Sequence, residues 1–196
     1  MSWTLAPAPM SALAELAAVP IAFEVRRQLE VTDVDGGLGG LALTEMPVDP
    51  PYGKDYDAIE GEGPARWARR FDLANWGLIL ARSAGRCLGG ATIAYRTPGV
   101  HILEDRPDLA VLWDLRVAPD RRGEGIGAAL FRAAEQWAAA RGARVLKVET
   151  QNINVDACRF YARQGCRLGA IHRFAYPAFP DEAQLLWYRQ LGGNQA

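Results

Sequence analysis

The ten residues Arg121-Arg-Gly-Glu-Gly-Ile-Gly-Ala-Ala-Leu130 join an apolar run, Val111–Val117, to a segment whose apolar residues recur at helical spacing. A strand that passes through glycines into a helix commits the chain to a mixed α/β architecture. The helix start carries backbone N–H groups without intrahelical partners and the positive end of the helix dipole, so it suits an anion. Gly123, Gly125 and Gly127 have no Cβ to hold a diphosphate away from the main chain. Arg121 and Arg122 add positive charge at the mouth.

Two nucleotide-binding designs meet these letters. Gly123-Glu124-Gly125-Ile126-Gly127-Ala128 satisfies the dinucleotide fingerprint, with Glu149 at the end of the next strand as the ribose partner. That fold places its first glycine directly after the strand, whereas Ala118–Arg122 intervene here. It also needs several further βα units, and only about 70 residues remain. A coenzyme A diphosphate loop accommodates both facts. A solvated glycine-rich turn is the bland alternative.

The flanking pattern supports one mixed sheet. Residues 76–96 read as a hairpin turning at Ser83–Gly85, and Val111–Val117 as a central strand. Ile126, Leu130, Ala134, Trp137 and Ala138 share one helical face, which Gly142 ends. Residues 143–150 form the next strand, and 154–165 a helix capped by Asn154 and stopped by Gly165. Residues 166–176 and 183–191 close the chain as two strands. Upstream, 22–31 alternate as a strand, 45–64 carry four prolines and read as a long irregular surface segment, and 65–72 as a short helix. Residues 1–20 are an arm of uncertain order, and 21–196 a single domain.

Composition excludes several function classes. A formal net charge of −1, with 49% hydrophobic and 23% charged residues, offers nothing to nucleic acid or to an anionic membrane. No stretch approaches a membrane span and the N-terminus lacks a signal peptide's basic start, so a cytoplasmic protein is expected. Cys87, Cys158 and Cys166, with only two histidines, lack metal-ligand spacing; reduced, packed thiols and no metal are expected. A homodimer is left open.

A second block stands downstream of the glycines: Asn154-Val-Asp-Ala157-Cys-Arg-Phe160-Tyr161-Ala-Arg-Gln-Gly165. With Arg122-x-x-Gly125-x-Gly127 before it, it resembles the GNAT acyltransferase superfamily over at least residues 77–190. "KVETQNINVDACRFYARQGCRLGA", "LLWYRQL" and "PPYGKDYD" look like its streptothricin acetyltransferase branch. The resemblance implies a mixed, mostly antiparallel sheet of six to seven strands flanked by helices and splayed between its fourth and fifth strands. Acetyl-CoA, as co-substrate, would lie in that cleft. Its diphosphate would meet Arg121, Arg122, Gly123, Glu124, Gly125, Ile126, Gly127 and Ala128. The backbone of Leu115, Arg116 and Val117 would pair with the pantetheine arm, and Asn154 would add a contact.

Amine acetylation needs an uncharged amine, a polarised carbonyl and a proton for the thiolate. The resemblance places an acid at Asp114 for deprotonation or acceptor positioning, and the general acid at Tyr161. A phenol keeps its proton at neutral pH yet can give it to a thiolate. Glu149 can hold the acceptor ammonium or share the base role. Asp114, Glu149 and a water relay stay open as base. Cys158 has no histidine near in sequence to activate it, so direct attack is expected. In the acidic segment Tyr52, Asp55 and Tyr56 are the acceptor-binding candidates, since carboxylates and aromatic faces suit a cation. The expected activity is acetylation of a small-molecule amine such as streptothricin. A protein N-terminus, a lysine or a polyamine is the alternative acceptor, and a non-catalytic acyl-CoA-binding module the alternative class.

Overall fold

Residues 1–20, whose order the sequence leaves open, contain an edge strand and a buried helix. Thr4–Ala8 (β1) pairs antiparallel with Gly77–Ser83, and Pro7 is tolerated because an edge strand needs ladder donors on one side only. Leu13–Ala17 (α1) then buries Leu13 and Leu16. The computed structural model describes residues 2–192, which form two compact units. The end of the domain expected over 21–196, residues 193–196, lies outside the described residues.

Among the described residues the first unit comprises 2–22, 55–147 and 190–192. It holds β1, α1, Pro64–Arg70 (α2), Gly77–Ser83 (β4), Arg86–Tyr95 (β5), Leu109–Val117 (β6) and Ile126–Ala139 (α3). Its strands lie in the order β1-β4-β5-β6. Ala84 and Gly85 take positive φ, 47° and 79°, and close the β4–β5 hairpin as a two-residue turn. α3 buries Ile126, Leu130, Phe131, Ala134 and Ala138. Trp137 lies so close over Gly77 that a Cβ there would stand 2.3 Å from the ring. Val145–Gln151 (β7) starts beside β6, with the N–H groups of Arg144 and Val145 both donating to the Asp108 carbonyl at 2.8 and 3.1 Å.

The second unit comprises 23–54 and 148–189. It contains Phe23–Asp33 (β2), Leu41–Lys54 (β3), the rest of β7, Val155–Arg163 (α4), Arg167–His172 (β8) and all but the last residue of Gln184–Gln190 (β9). Its part of the main sheet runs β7-β9-β8, so among the described residues that sheet has seven strands, and every register resolved between them is antiparallel.

The expected irregular segment over 45–64 is half wrong. Its first half belongs to β3, which pairs with β2 in a separate two-stranded sheet. The register passes from Val25 opposite Tyr52 to Arg27 opposite Pro47, so four residues of β3, including Pro50 and Pro51, bulge out against one of β2. Proline has no N–H for a ladder, and collecting two of them in the bulge lets the strand continue on both sides. A two-stranded hairpin is marginal alone. Asn152 anchors this one: its Nδ2 donates to the Leu29 carbonyl, its carbonyl accepts from Leu29 N–H, and its Oδ1 and N–H bond Ala183. All four bonds measure 2.8–2.9 Å, inside a residue that is buried. The strand expected over 166–176 ends at His172; Arg173–Ala183 is a loop carrying Pro177 and Pro180.

Candidate active site

The glycine turn keeps its backbone open. Gly123 and Gly125 have φ of 83° and 81°, which side-chain-bearing residues adopt only with strain. An added Cβ at either would meet nothing within 4 Å, so the backbone is open there rather than packed. Gly125 is the N-cap of α3 and supplies no side-chain acceptor, which leaves the first N–H groups of a 14-residue helix uncapped from within. These features fit a diphosphate. The arginines are more committed than the sequence suggests. Arg121 makes two 2.7 Å bonds to Glu124, and Arg122 donates to the Val117 carbonyl at 3.2 Å. Glu124 thus offsets one of the two charges.

β6 carries a bulge at its centre. Thr92 faces Asp114 and Ile93 faces Leu112, so Trp113 is the extra residue. A bulge leaves a residue outside the ladder and re-aims its neighbours, and this one separates the core-facing Val111 end from Asp114 to Val117. Trp113 completes an aromatic cluster with Trp67, Phe71 and Trp76 at centroid separations of 5.1–6.4 Å.

Asp114 is buried and paired. Arg116 donates to both its oxygens at 2.9 and 2.7 Å, to both oxygens of Asp57 at 2.6 and 3.0 Å, and to the Val19 carbonyl at 3.1 Å. Burial pushes the Asp114 carboxyl above its ordinary value; Arg116 pulls it back, and the Asp57 charge adds to the rise. Burial also opposes the charge of Arg116, but the two aspartates outweigh it and hold the guanidinium cationic. Sequence reasoning assigned Arg116 a backbone role, and the structure adds this side-chain clamp. Asp57 had no distinguishing signal among the neighbouring acids.

Glu149, on β7, has a different environment. The Tyr176 hydroxyl donates to its Oε1 at 2.6 Å and the Gln184 amide to its Oε2 at 2.8 Å. Gln151 Nε2 in turn donates to the Tyr176 oxygen at 3.0 Å. Every one of these partners is neutral, so the carboxylate is oriented without being neutralised. Tyr176 and Gln184 come from a loop and the strand after it, and no local pattern marks either.

Tyr161 lies buried on α4, its ring edge-on to Phe160 at 5.1 Å. Asn154 caps the helix, accepting from Ala157 N–H at 3.1 Å. Cys158 hydrogen-bonds Thr150 at 3.3 Å, and burial pushes its thiol up to about 11, which agrees with no nucleophilic role. Of the acceptor candidates, Asp55 caps the turn Tyr56–Ala58 by accepting from Asp57 N–H at 3.0 Å. Tyr52 is 42% exposed on β3, with its phenol pushed up by burial and by the charges of Glu182 and Asp181. Among the described residues no group of three or more His, Cys, Asp and Glu could hold a metal ion, and no helix is long and apolar enough to cross a membrane.

The sequence model of the acetyltransferase (GNAT) family matches residues 42–166. Streptothricin acetyltransferase A of Bacillus subtilis (strain 168) is 31% identical over 159 residues, 76% of this chain and 80% of that protein. Streptothricin acetyltransferase of Streptomyces lavendulae is 29% identical over 161 residues, 82% of this chain and 81% of that one. Among solved structures, a nourseothricin acetyltransferase superposes with a TM-score of 0.75 at 24% identity, over 98% of this chain and all of the other. A Bacillus anthracis str. Ames protein, assigned as a streptothricin acetyltransferase and bound to acetyl coenzyme A, gives 0.74 at 22%, over 97% and 100% of the two chains. At those identities the superpositions speak to fold.

Proposed function

The chain belongs to the GNAT family of acetyl-CoA-dependent N-acetyltransferases, and from that premise we propose that it acetylates a primary amine of a small cationic molecule, the β-lysyl amine of streptothricin. In this reading it works in the cytoplasm, where free thiols such as Cys87, Cys158 and Cys166 persist. The acceptor rests on the named relatives and on Tyr52, Asp55 and Tyr56, whose chemistry suits a cation.

Acetyl-CoA supplies the acetyl group already activated as a thioester. The turn Gly123–Gly127 would receive its diphosphate on the N–H groups that open α3, with Ala128 and Arg122 beside it and the Leu115–Val117 main chain along the pantetheine arm. The observation that carries the mechanism is the setting of Glu149: a phenol and an amide orient its carboxylate, whereas the Asp114 carboxylate is taken up on both oxygens by the Arg116 guanidinium. We therefore assign Glu149, and not the Arg116-bound Asp114, as the base. Glu149 takes the ammonium proton, the amine nitrogen bonds the acetyl carbon as the C–S bond breaks, the Tyr161 phenol protonates the departing sulfur, and the second proton shed by the new amide nitrogen restores the phenol. Asp114 holds Arg116, which through Asp57 fixes the turn that bears Tyr56.

Mass spectrometry of the products from acetyl-CoA and streptothricin tests the acceptor. A monoacetylated streptothricin is expected. Acetyl-CoA binding without acceptor-dependent thiol release from any of a panel of amines would instead mark a non-catalytic acyl-CoA module.

A further inference from the structure

Tyr176 sits in the loop between β8 and β9, and that loop is fixed at both ends. At its start Arg173 donates to both oxygens of Asp33 at 3.3 and 2.9 Å. At its end Glu182 forms a buried 2.5 Å pair with Lys54, whose Nζ also lies 3.7 Å from the centroid of the Phe179 ring. Between them the Phe179 N–H donates to the Tyr176 carbonyl at 2.9 Å, which closes a tight turn. The position of the Tyr176 ring is therefore decided by the loop's anchors.

Its hydroxyl is ordered from two sides. Gln151 and Glu149 are two apart on β7 and so share a face of the strand. Gln151 donates to the phenol oxygen, so the phenol proton is directed onward to Glu149 Oε1. Gln184 approaches the other carboxylate oxygen. Tyr176 and Gln184 each donate to one oxygen of the same carboxylate, and each of those oxygens keeps a further lone pair.

We propose that Tyr176 is a positioning residue for acetyl transfer: its phenol, ordered by Gln151, aims the Glu149 carboxylate at the acceptor ammonium. The proposal rests on the assignment of Glu149 as base. In the step concerned an N–H bond of the ammonium breaks and an O–H bond forms at Glu149 Oε2. The Tyr176 proton stays on the phenol, so ammonium and carboxylate become amine and carboxylic acid with no further proton donor.

A double-mutant cycle tests it. Turnover is measured for wild type, Tyr176→Phe, Glu149→Gln and the double variant, with streptothricin and with primary amines of graded basicity. Removing a hydrogen bond to a charged group should lower kcat by about 10- to 100-fold, with the KM for acetyl-CoA unchanged. The loss should grow with amine basicity, because more basic acceptors need more help to lose a proton. In the Glu149→Gln background the same change should cost nothing further. Equal loss in both backgrounds, or a loss independent of amine basicity, would overturn the proposal and leave Tyr176 as packing. Should Tyr176→Phe fold poorly, Gln184→Met removes the other donor to the same carboxylate and must show the same coupling. A wild type inactive toward every amine refutes the proposed function itself. An active wild type with a fully active Glu149→Gln variant refutes only the base and its positioning residue.

Discussion

Arg116 holds Asp114 by two hydrogen bonds, 2.9 and 2.7 Å long, between side chains two residues apart on the strand expected to lie along the pantetheine arm. The same guanidinium grips Asp57, so one cation serves two carboxylates. Replacing Arg116 with Met should therefore cost about 3–5 kcal/mol, because it strands buried charge rather than removing a balanced pair. Urea unfolding of the purified variant measures this. A loss under 1 kcal/mol would show that the clamp contributes little.

Asp114→Asn and Glu149→Gln should separate the two carboxylates. Asp114→Asn keeps an acceptor for Arg116 and should lower stability while leaving the shape of the pH–rate profile intact. Glu149→Gln should reduce kcat by about 10²- to 10⁴-fold, the usual scale of general-base loss. A profile altered by Asp114→Asn and untouched by Glu149→Gln would reverse the assignment.

Tyr161→Phe keeps the buried ring and its contact with Phe160 but removes the proton donor. The expected result is a turnover about 10²-fold lower at saturating substrates, with acetyl-CoA affinity nearly unchanged. Stopped-flow binding alongside steady-state rates gives both numbers. Unchanged turnover would end the acid role.

Gly125→Ala tests the proposed diphosphate turn. No atom crowds the position, so the cost of the residue's 81° φ is about 1–2 kcal/mol of backbone strain. The new methyl should also raise the KM for acetyl-CoA more than that of the acceptor. A change in the acceptor KM alone would move the diphosphate elsewhere.

Cys158, with its thiol at about 11, should resist alkylation in the native protein at pH 8, where about one molecule in a thousand is thiolate. Because the folded value lies above that of an unfolded cysteine, the unfolded chain loses its proton first as pH rises. This contribution is neutral near pH 7 and erodes stability from about pH 8.5 toward 11. Iodoacetamide labelling with and without urea reads the first effect. Rapid native labelling of Cys158 would contradict the burial.

Lys54 and Lys147, the chain's only lysines, are both buried in ion pairs, with Glu182 and Glu104 at 2.5 Å. Prolonged incubation with acetyl-CoA should therefore leave no acetyl-lysine on the enzyme itself. Peptide mass spectrometry checks this, and acetylation at either lysine would show that its pair opens.

What the sequence determined was local in origin. The β–glycine–α turn follows from Gly123 and Gly125, the cap of α4 from Asn154, and the β4–β5 hairpin from Ala84–Gly85, each within a few residues of chain. The motif pair around Arg122 and Tyr161 carried the family for the same reason. Long-range pairing was hidden. Nothing in a proline-rich run announces a strand that bulges around its own prolines, because its partner β2 begins more than a turn of chain away and is held by Asn152. Nor do letters tell the surroundings of Asp114 from those of Glu149. Both are carboxylates on strands, and they differ only in what the fold brings to them: a buried guanidinium for one, a phenol and an amide for the other. The chemistry of a carboxylate is set by its neighbours in space, and those neighbours are chosen by tertiary structure.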